Sequence, residues 1–309
     1  MLPATPRSVA RAAALAATLA LLAPACDEDT PQPSPSTIAV VDDAGREIRL
    51  ARPARRIVSL VPSATETIVA LGASERLIAR TDYDRSAELA GLPSLGGGLD
   101  PSVEALVELG PDLVVAWDAR DGAGLRARLE AAGIPVYSAA IQDTAALFAT
   151  LRRLGILLGR ESAADSLSRS LRDTLTAVAA ESEGGPRPRV LFLLDGDPPR
   201  TAGPGTFVSD LIVIAGGEPA YPAVAGEWPV VSLETVVADP PDVVLVPVDE
   251  AEPPALARRV GWRGIPAVRE GRVSGLPADL VTRPGPAIGR AARAMRDSLR
   301  AIAARTEAF

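Results

Sequence analysis

Ser102-Val103-Glu104-Ala105-Leu106-Val107 leads into Pro111-Asp112-Leu113-Val114-Val115, and Ser232-Leu233-Glu234-Thr235-Val236-Val237 leads into Pro241-Asp242-Val243-Val244-Leu245. Ser, Glu, Val, Pro, Asp and Val recur at one constant offset, the step from Ser102 to Ser232 being the same as that from Asp112 to Asp242. Both stretches read the same way. A Ser stands where a helix needs an N-cap, and a Glu sits in the first turn, where the helix dipole favours a carboxylate. An uninterrupted apolar run follows, as a strand buried on both faces requires. A duplicated helix-turn-strand unit predicts two lobes of similar build. Helix-start chemistry alone accounts for an acidic residue at Glu104 and at Glu234. Their equivalence across lobes equally suits two acidic knobs docking onto a two-fold partner with cationic sockets, since an Arg–carboxylate pair is directional.

Outward from these units, strands alternate with helices, which predicts parallel α/β layers. Residues 38–41 and 47–50, separated by Asp42-Asp43-Ala44-Gly45, read as a β-hairpin. Residues 56–61 read as a strand, followed by a helix from Pro62 that Gly72 ends. Residues 77–79 and 134–137 read as strands, and 124–132 and 145–158 as helices. Residues 161–183 contain no Gly or Pro, and Leu167, Leu171, Leu175 and Val178 fall on one helical stripe. A helix of that length spans about 35 Å, and Gly184-Gly185-Pro186 ends it, so it reads as a rigid connector at mid-chain. The alternation then resumes: strand 189–194, helix 207–214, strand 243–248, and an amphipathic helix over 287–304. The expected fold class is α/β, with two Rossmann-like lobes joined by one long α-helix and a ligand cleft between them. The expected divisions are 38–160 for the first lobe, 161–183 for the connector and 184–309 for the second lobe.

Composition narrows the chemistry. Of 309 residues, 47% are hydrophobic and 23% charged, which is core-forming and not disordered. A net charge of -7 argues against a nucleic-acid partner, which needs a basic face. The chain has no His, Lys or Asn, and one Cys. A His-based triad, a Schiff-base lysine, a His-ligated metal, N-linked glycosylation and an internal disulfide are therefore excluded.

The first 25 residues carry Arg7 and Arg11, an apolar run over 12–22, and Ala23-Pro24-Ala25 before Cys26. This is the build of a secretory signal, too short in its apolar part for a membrane span. Cleavage would leave Cys26 first, as in a bacterial lipoprotein, and the Pro- and Ser-rich stretch within residues 26–37 reads as a tether. A plain cleaved signal with an incidental Cys is the alternative. Lipidation of Cys26 would hold the protein at a membrane surface without a spanning helix.

Three aromatic residues stand at strand-end loops, where open α/β sheets bind ligands. Trp117 closes the apolar run of the first unit, Tyr83 follows strand 77–79, and Trp228 precedes the second Glu helix. Together they suit clasping a large flat or greasy ligand across a cleft, although aromatics also cover loop ends. Trp262 reads as packing. Asp279 and Arg283 fall in the loop before the last helix, and Arg200 follows Pro198-Pro199. Either Arg suits an anionic or amide group of a ligand, and solvated arginines are the plainer reading. An enzyme would call on Ser63 and Asp197 as a carboxylate-dependent hydrolase, without the usual bases.

Asp42-Asp43-Ala44-Gly45-Arg46, then Arg56-Ile57-Val58-Ser59-Leu60-Val61-Pro62-Ser63-Ala64-Thr65-Glu66, then residues 106–114 resemble the helical-backbone substrate-binding proteins of ABC importers. That family carries cobalamin, ferric siderophores, haem or metals, and the resemblance, over about residues 38–305, is greatest to its cobalamin-binding branch. Together with the signal, Cys26 and the missing bases, it leads to the expectation of a lipid-anchored extracytoplasmic protein, not an enzyme and without an intrinsic cofactor or metal, that delivers a corrinoid to a permease dimer with its ATPase. A ferric-siderophore or haem binder of the same fold is the alternative, with Tyr83 as an axial ligand for haem. The resemblance also implies that Glu104 and Glu234 meet permease arginines. It implies that Tyr83, Trp117 and Trp228 line the pocket and that Asp279 and Arg283 help to close it. The chain departs from the branch at Gly96-Gly97-Gly98, Arg200 and Leu280, where aromatics would stand, so a wider, less aromatic pocket is expected.

Overall fold

The computed structural model describes residues 37–117, 123–249 and 256–307. The signal, Cys26 and nearly all of the tether lie outside these residues. The first lobe comprises β1 (Ile38–Val41), β2 (Glu47–Leu50), β3 (Ile57–Ser59), α1 (Pro62–Ala70), β4 (Leu77–Ala79), α2 (Val103–Leu109), β5 (Leu113–Trp117), α3 (Ala123–Ala131), β6 (Val136–Ala139) and α4 (Thr144–Leu158). Then α5 (Glu161–Glu181) runs 21 residues, about 32 Å. It stops two residues short of the expected end, where the Ser182 hydroxyl donates back to the Val178 carbonyl at 2.8 Å. The second lobe comprises β7 (Arg189–Gly196), β8 (Pro199–Thr201), α6 (Phe207–Ile214), β9 (Glu218–Pro219), α7 (Leu233–Ala238), β10 (Val243–Val248), α8 (Pro266–Arg269), β11 (Val273–Pro277), α9 (Ala278–Val281) and α10 (Ile288–Glu307).

The duplication is visible in the strand order. The first sheet runs β4-β3-β5-β6, all parallel. In the second, β9-β7-β10-β11 repeats that order in parallel, and β8 adds an antiparallel partner to the far half of β7. The repeated residues do the same work in both lobes. Ser102 Oγ accepts from Ala105 N at 3.2 Å, and Ser232 Oγ accepts from Thr235 N at 3.1 Å, so both are N-caps. The Asp of each Pro-Asp pair ties its strand to the first strand of the sheet. Asp112 accepts from the amides of Arg55 and Arg56 at 2.9 and 3.0 Å, and Asp242 from that of Arg189 at 2.8 Å. Arg56 in turn donates to the Leu109 carbonyl at 2.6 Å, closing the end of α2, and Arg189 donates to Asp239 beyond α7 at 2.7 Å.

One apolar core joins the lobes. It takes in Leu113 and Leu151 of the first, Leu171, Leu175 and Val178 of α5, and Phe192, Leu211 and Met295 of the second. The buried stripe of α5 is the one its spacing predicts, with Leu167 partly buried beside it. Trp262 is 2% exposed in a second core cluster with Val236 and Ile265, as a packing residue should be.

The hairpin turn is fastened by its two carboxylates. Buried Asp42 accepts from Arg126 and from the Arg46 amide, both at 2.7 Å, and from the Ser138 amide at 3.2 Å. Asp43 accepts from the Ala140 amide at 2.9 Å, from Thr150 Oγ1 at 3.0 Å and from Arg153. Burial alone would raise the Asp42 carboxyl. The Arg126, Arg46 and Ser138 bonds outweigh burial and hold it below the usual carboxylate value. The stability this shift supplies is therefore complete above about pH 4 and lost as pH falls through the lowered native value. Asp42→Asn, which leaves Arg126 with Glu130 and the Ser138 hydroxyl but without the buried carboxylate, is expected to cost about 2 kcal/mol at neutral pH. Urea unfolding should show the gap to wild type narrowing in acid.

Candidate ligand cleft

Parallel strands end at one edge of each sheet, and the candidate residues gather along these carboxyl edges. Tyr83 follows β4 in a turn fixed by Asp84, whose buried carboxylate accepts from Thr81 N at 2.7 Å and Thr81 Oγ1 at 2.8 Å. The turn leaves the Tyr83 ring about half exposed, against the Gly96–Gly98 stretch. Gly98 has φ of +81°, and a Cβ there would lie 2.6 Å from the Leu60 carbonyl oxygen. The glycines that replace the expected aromatic thus serve the passage of the chain. Trp117 is the last residue of β5 and is 38% exposed. Trp228 is half-buried in the loop before α7 and packs on the main core. That loop pairs with the segment after β8, Gly203 N donating to the Glu227 carbonyl at 2.8 Å. A Cβ on Gly203 would sit 2.0 Å from the Gly226 carbonyl oxygen, so the close approach requires glycine.

Two cavities lie along these edges. One, of about 450 Å³, is lined by Glu66 and Tyr83 from the first lobe and by Asp279, Arg283 and Arg290 from the second. The other, of about 260 Å³, is lined by Trp117 and Ile141 from the first lobe and by Phe207, Glu227 and Trp228 from the second. The segment from Asp279 to Ala287 runs beside both, Thr282 and Pro284 facing the smaller one. The sequence places Asp279 and Arg283 in one loop. Asp279 instead lies in the four-residue helix α9, with Arg283 just beyond it. Leu280 packs against the core. Arg200, on β8, lines neither cavity and pairs with Asp195 at 3.4 Å. A larger cavity, about 640 Å³, opens at the end of α5, among Glu181, Arg272, Arg296 and Leu299. It contains none of the candidate residues.

Sequence reasoning missed the contact that joins the lobes inside the larger cleft cavity. Arg283 Nη1 donates to Glu66 Oε1 at 3.2 Å, 217 residues apart. Gly285 passes so close that a Cβ would lie 3.1 Å from Glu66 Oε2, and beneath it the buried Ser63 hydroxyl has no hydrogen-bond partner among the described residues. Burial raises the Glu66 carboxyl, and Arg283 partly offsets the rise. No signal in the sequence links the two, because Glu66 reads only as an acidic residue in a helix start. The cavity as a whole balances Glu66, Asp84 and Asp279 against Arg85, Arg283 and Arg290.

Glu104 and Glu234 are exposed on α2 and α7. Each helix runs into its strand from the carboxyl edge, so both carboxylates stand on the cleft side of their sheets. Each is held below the usual value, first by its own backbone N–H and then by the capping Ser. Glu104 also pairs with Arg128 at 2.5 Å. Asp197 is exposed in the turn between β7 and β8.

The profile of a family described as periplasmic binding protein matches residues 57–280. The chain belongs to that family. It is a family of binding proteins and not of enzymes. Among its relatives is a cobalamin-binding protein of Halobacterium salinarum, 30% identical over 85% of this chain and 72% of that protein. Another is an uncharacterized ABC transporter substrate-binding lipoprotein of Bacillus subtilis, 28% identical over 85% of both chains. The solved periplasmic heme-binding protein of Roseiflexus sp. RS-1 superposes with a TM-score of 0.66 at 29% identity, over 79% of this chain and 98% of that one. Among the described residues of this periplasmic binding protein, no helix is long and apolar enough to cross a membrane.

Because Arg283 counters the effect of burial on Glu66, Arg283→Ala should raise the Glu66 pKa further. A carboxyl-carbon NMR titration is expected to show the resonance of Glu66 moving to higher pH in the variant. An unchanged titration would mean the pair does not form in solution.

Proposed function

We propose that this periplasmic binding protein captures cobalamin or a related corrinoid between its lobes and delivers it to the permease of an ABC importer. Residues 38–160 act as one jaw, 184–309 as the other, and 161–183 as the rod between them. Cys26, lipidated after signal cleavage, anchors the protein at an extracytoplasmic membrane face, in keeping with the name of the Bacillus subtilis relative. Glu104 and Glu234 dock onto arginines of the permease dimer, whose ATPase drives release. No bond is made or broken.

The observation that carries the choice of ligand is the character of the crevice. Trp117 and Trp228 come from opposite lobes to one small cavity with Ile141 and Phe207, which suits the apolar faces of a macrocycle. Two of the arginines that an anionic ferric siderophore would call on are already paired, Arg283 with Glu66 and Arg200 with Asp195. The cleft cavity of about 450 Å³ carries no excess of positive charge. A polar but uncharged rim, such as a corrinoid presents, costs such a site the least desolvation. Haem is the second reading, favoured by the half-exposed Tyr83 at the mouth, whose phenolate would serve as an axial ligand, and by the heme-binding neighbour.

Isothermal titration with cyanocobalamin, hemin and a ferric hydroxamate should give saturable binding for cyanocobalamin. Binding of the ferric siderophore alone would reject the proposal. Trp117→Ala with Trp228→Ala should weaken binding by about 2–4 kcal/mol in total, the scale of desolvated aromatic anchors. An unchanged affinity would remove both from the pocket.

A further inference from the structure

The docking carboxylates do not stand alone on their helices. In α2, Val103 and Leu106 are buried, and in α7, Val236 is buried with Leu233 partly so. The outward faces carry Glu104 with Val107 and Glu234 with Val237, in each case one turn apart. Val107 is 43% exposed and Val237 48%. A β-branched side chain is a poor choice for an open helix face, since it restricts χ1 and leaves apolar surface in water. One exposed Val is ordinary. The same exposed Val, at the offset that relates the two units and with the same spacing from a carboxylate in both lobes, is not explained by folding. Leu99 and Val230, just before the two capping serines, are 80% and 50% exposed. Four of the nine exposed large apolar residues among those described thus belong to these two segments, which concentrates apolar surface where the carboxylates are.

We propose that Val107 and Val237 complete two docking patches at equivalent sequence positions, each a carboxylate flanked by aliphatic surface, and that the partner presents a guanidinium beside an apolar side chain at each of two symmetry-related sockets, in the first lobe taking the place of the exposed Arg128 on Glu104. The proposal rests on the permease-docking reading and extends it. An exposed ion pair contributes little and is screened by salt, so Glu104 and Glu234 alone would give direction without much affinity. Aliphatic groups beside the pair exclude water from it and add apolar burial that salt does not weaken. The carboxylates then set register and the valines hold it.

The test uses the full chain and the permease–ATPase complex of the same genome held in nanodiscs. Three double variants are compared with wild type by interferometry at low and high salt: Val107→Gln with Val237→Gln, Val107→Ala with Val237→Ala, and Glu104→Ala with Glu234→Ala. The Gln pair should weaken association about tenfold or more and leave the remainder more salt-sensitive than wild type. Ligand affinity and Tm should not fall in either valine pair. If the Gln pair associates like wild type while the Glu pair does not, the valine proposal is wrong and docking stands. If all three associate like wild type, docking through these helices fails and the proposal with it. A fall in Tm or in ligand affinity for the Ala pair that matches its loss of association would assign the valines to folding and overturn the proposal.

Discussion

Asp112 and Asp242 each place a carboxylate against the amides that open the first strand of a sheet. That bond, made twice, fixes the rest of the molecule. It ties the strand after each Glu helix to the strand beside it at their amino ends, and so sets where the helix ends. With the strands parallel, the helix must start at the carboxyl edge. Trp117 and Trp228, and the carboxylates Glu104 and Glu234, therefore reach the same side of their sheets without any contact between the units. Arg56 and Arg189 reinforce the arrangement by reaching from the start of the first strand to the end of the Glu helix.

The shared core opposes wide motion between the lobes. Residues of α5 pack in the same cluster as strands and helices from both lobes. A hinge through that cluster would expose apolar area at roughly 25 cal/mol per Å². The Glu66–Arg283 pair adds a polar contact across the opening. Replacing either partner alone would leave a partly buried charge, which makes the pair a constraint on the shape of the crevice more than a source of stability.

Much of this was legible in the sequence, for physical reasons. Buried parallel strands and capped amphipathic helices depend on neighbours in the chain, so β5, β10, α5 and α6 appear where hydrophobic pattern and breakers place them. The constant offset between the two Ser–Glu–Pro-Asp units revealed the duplication. Short elements held by distant partners were not legible. The strand β9 has two residues, β11 contains Ser274, Gly275 and Pro277, and α9 has four residues. None carries a period to read. The Arg of the helix-strand lock recurs too, as Arg56 and Arg189, but out of step with that offset. Glu66 escaped notice because its meaning lies in a partner 217 residues on.

The proposed function depends on twin lobes that hold a bulky, largely uncharged guest in the crevice. A crystal structure grown with cyanocobalamin tests that claim most directly. The macrocycle should lie between Trp117 and Trp228, with the segment from Asp279 to Ala287 along its edge and Arg283 still on Glu66. Density for the corrinoid in the cavity at the end of α5, or Arg283 turned away from Glu66 to meet a ligand anion, would contradict it.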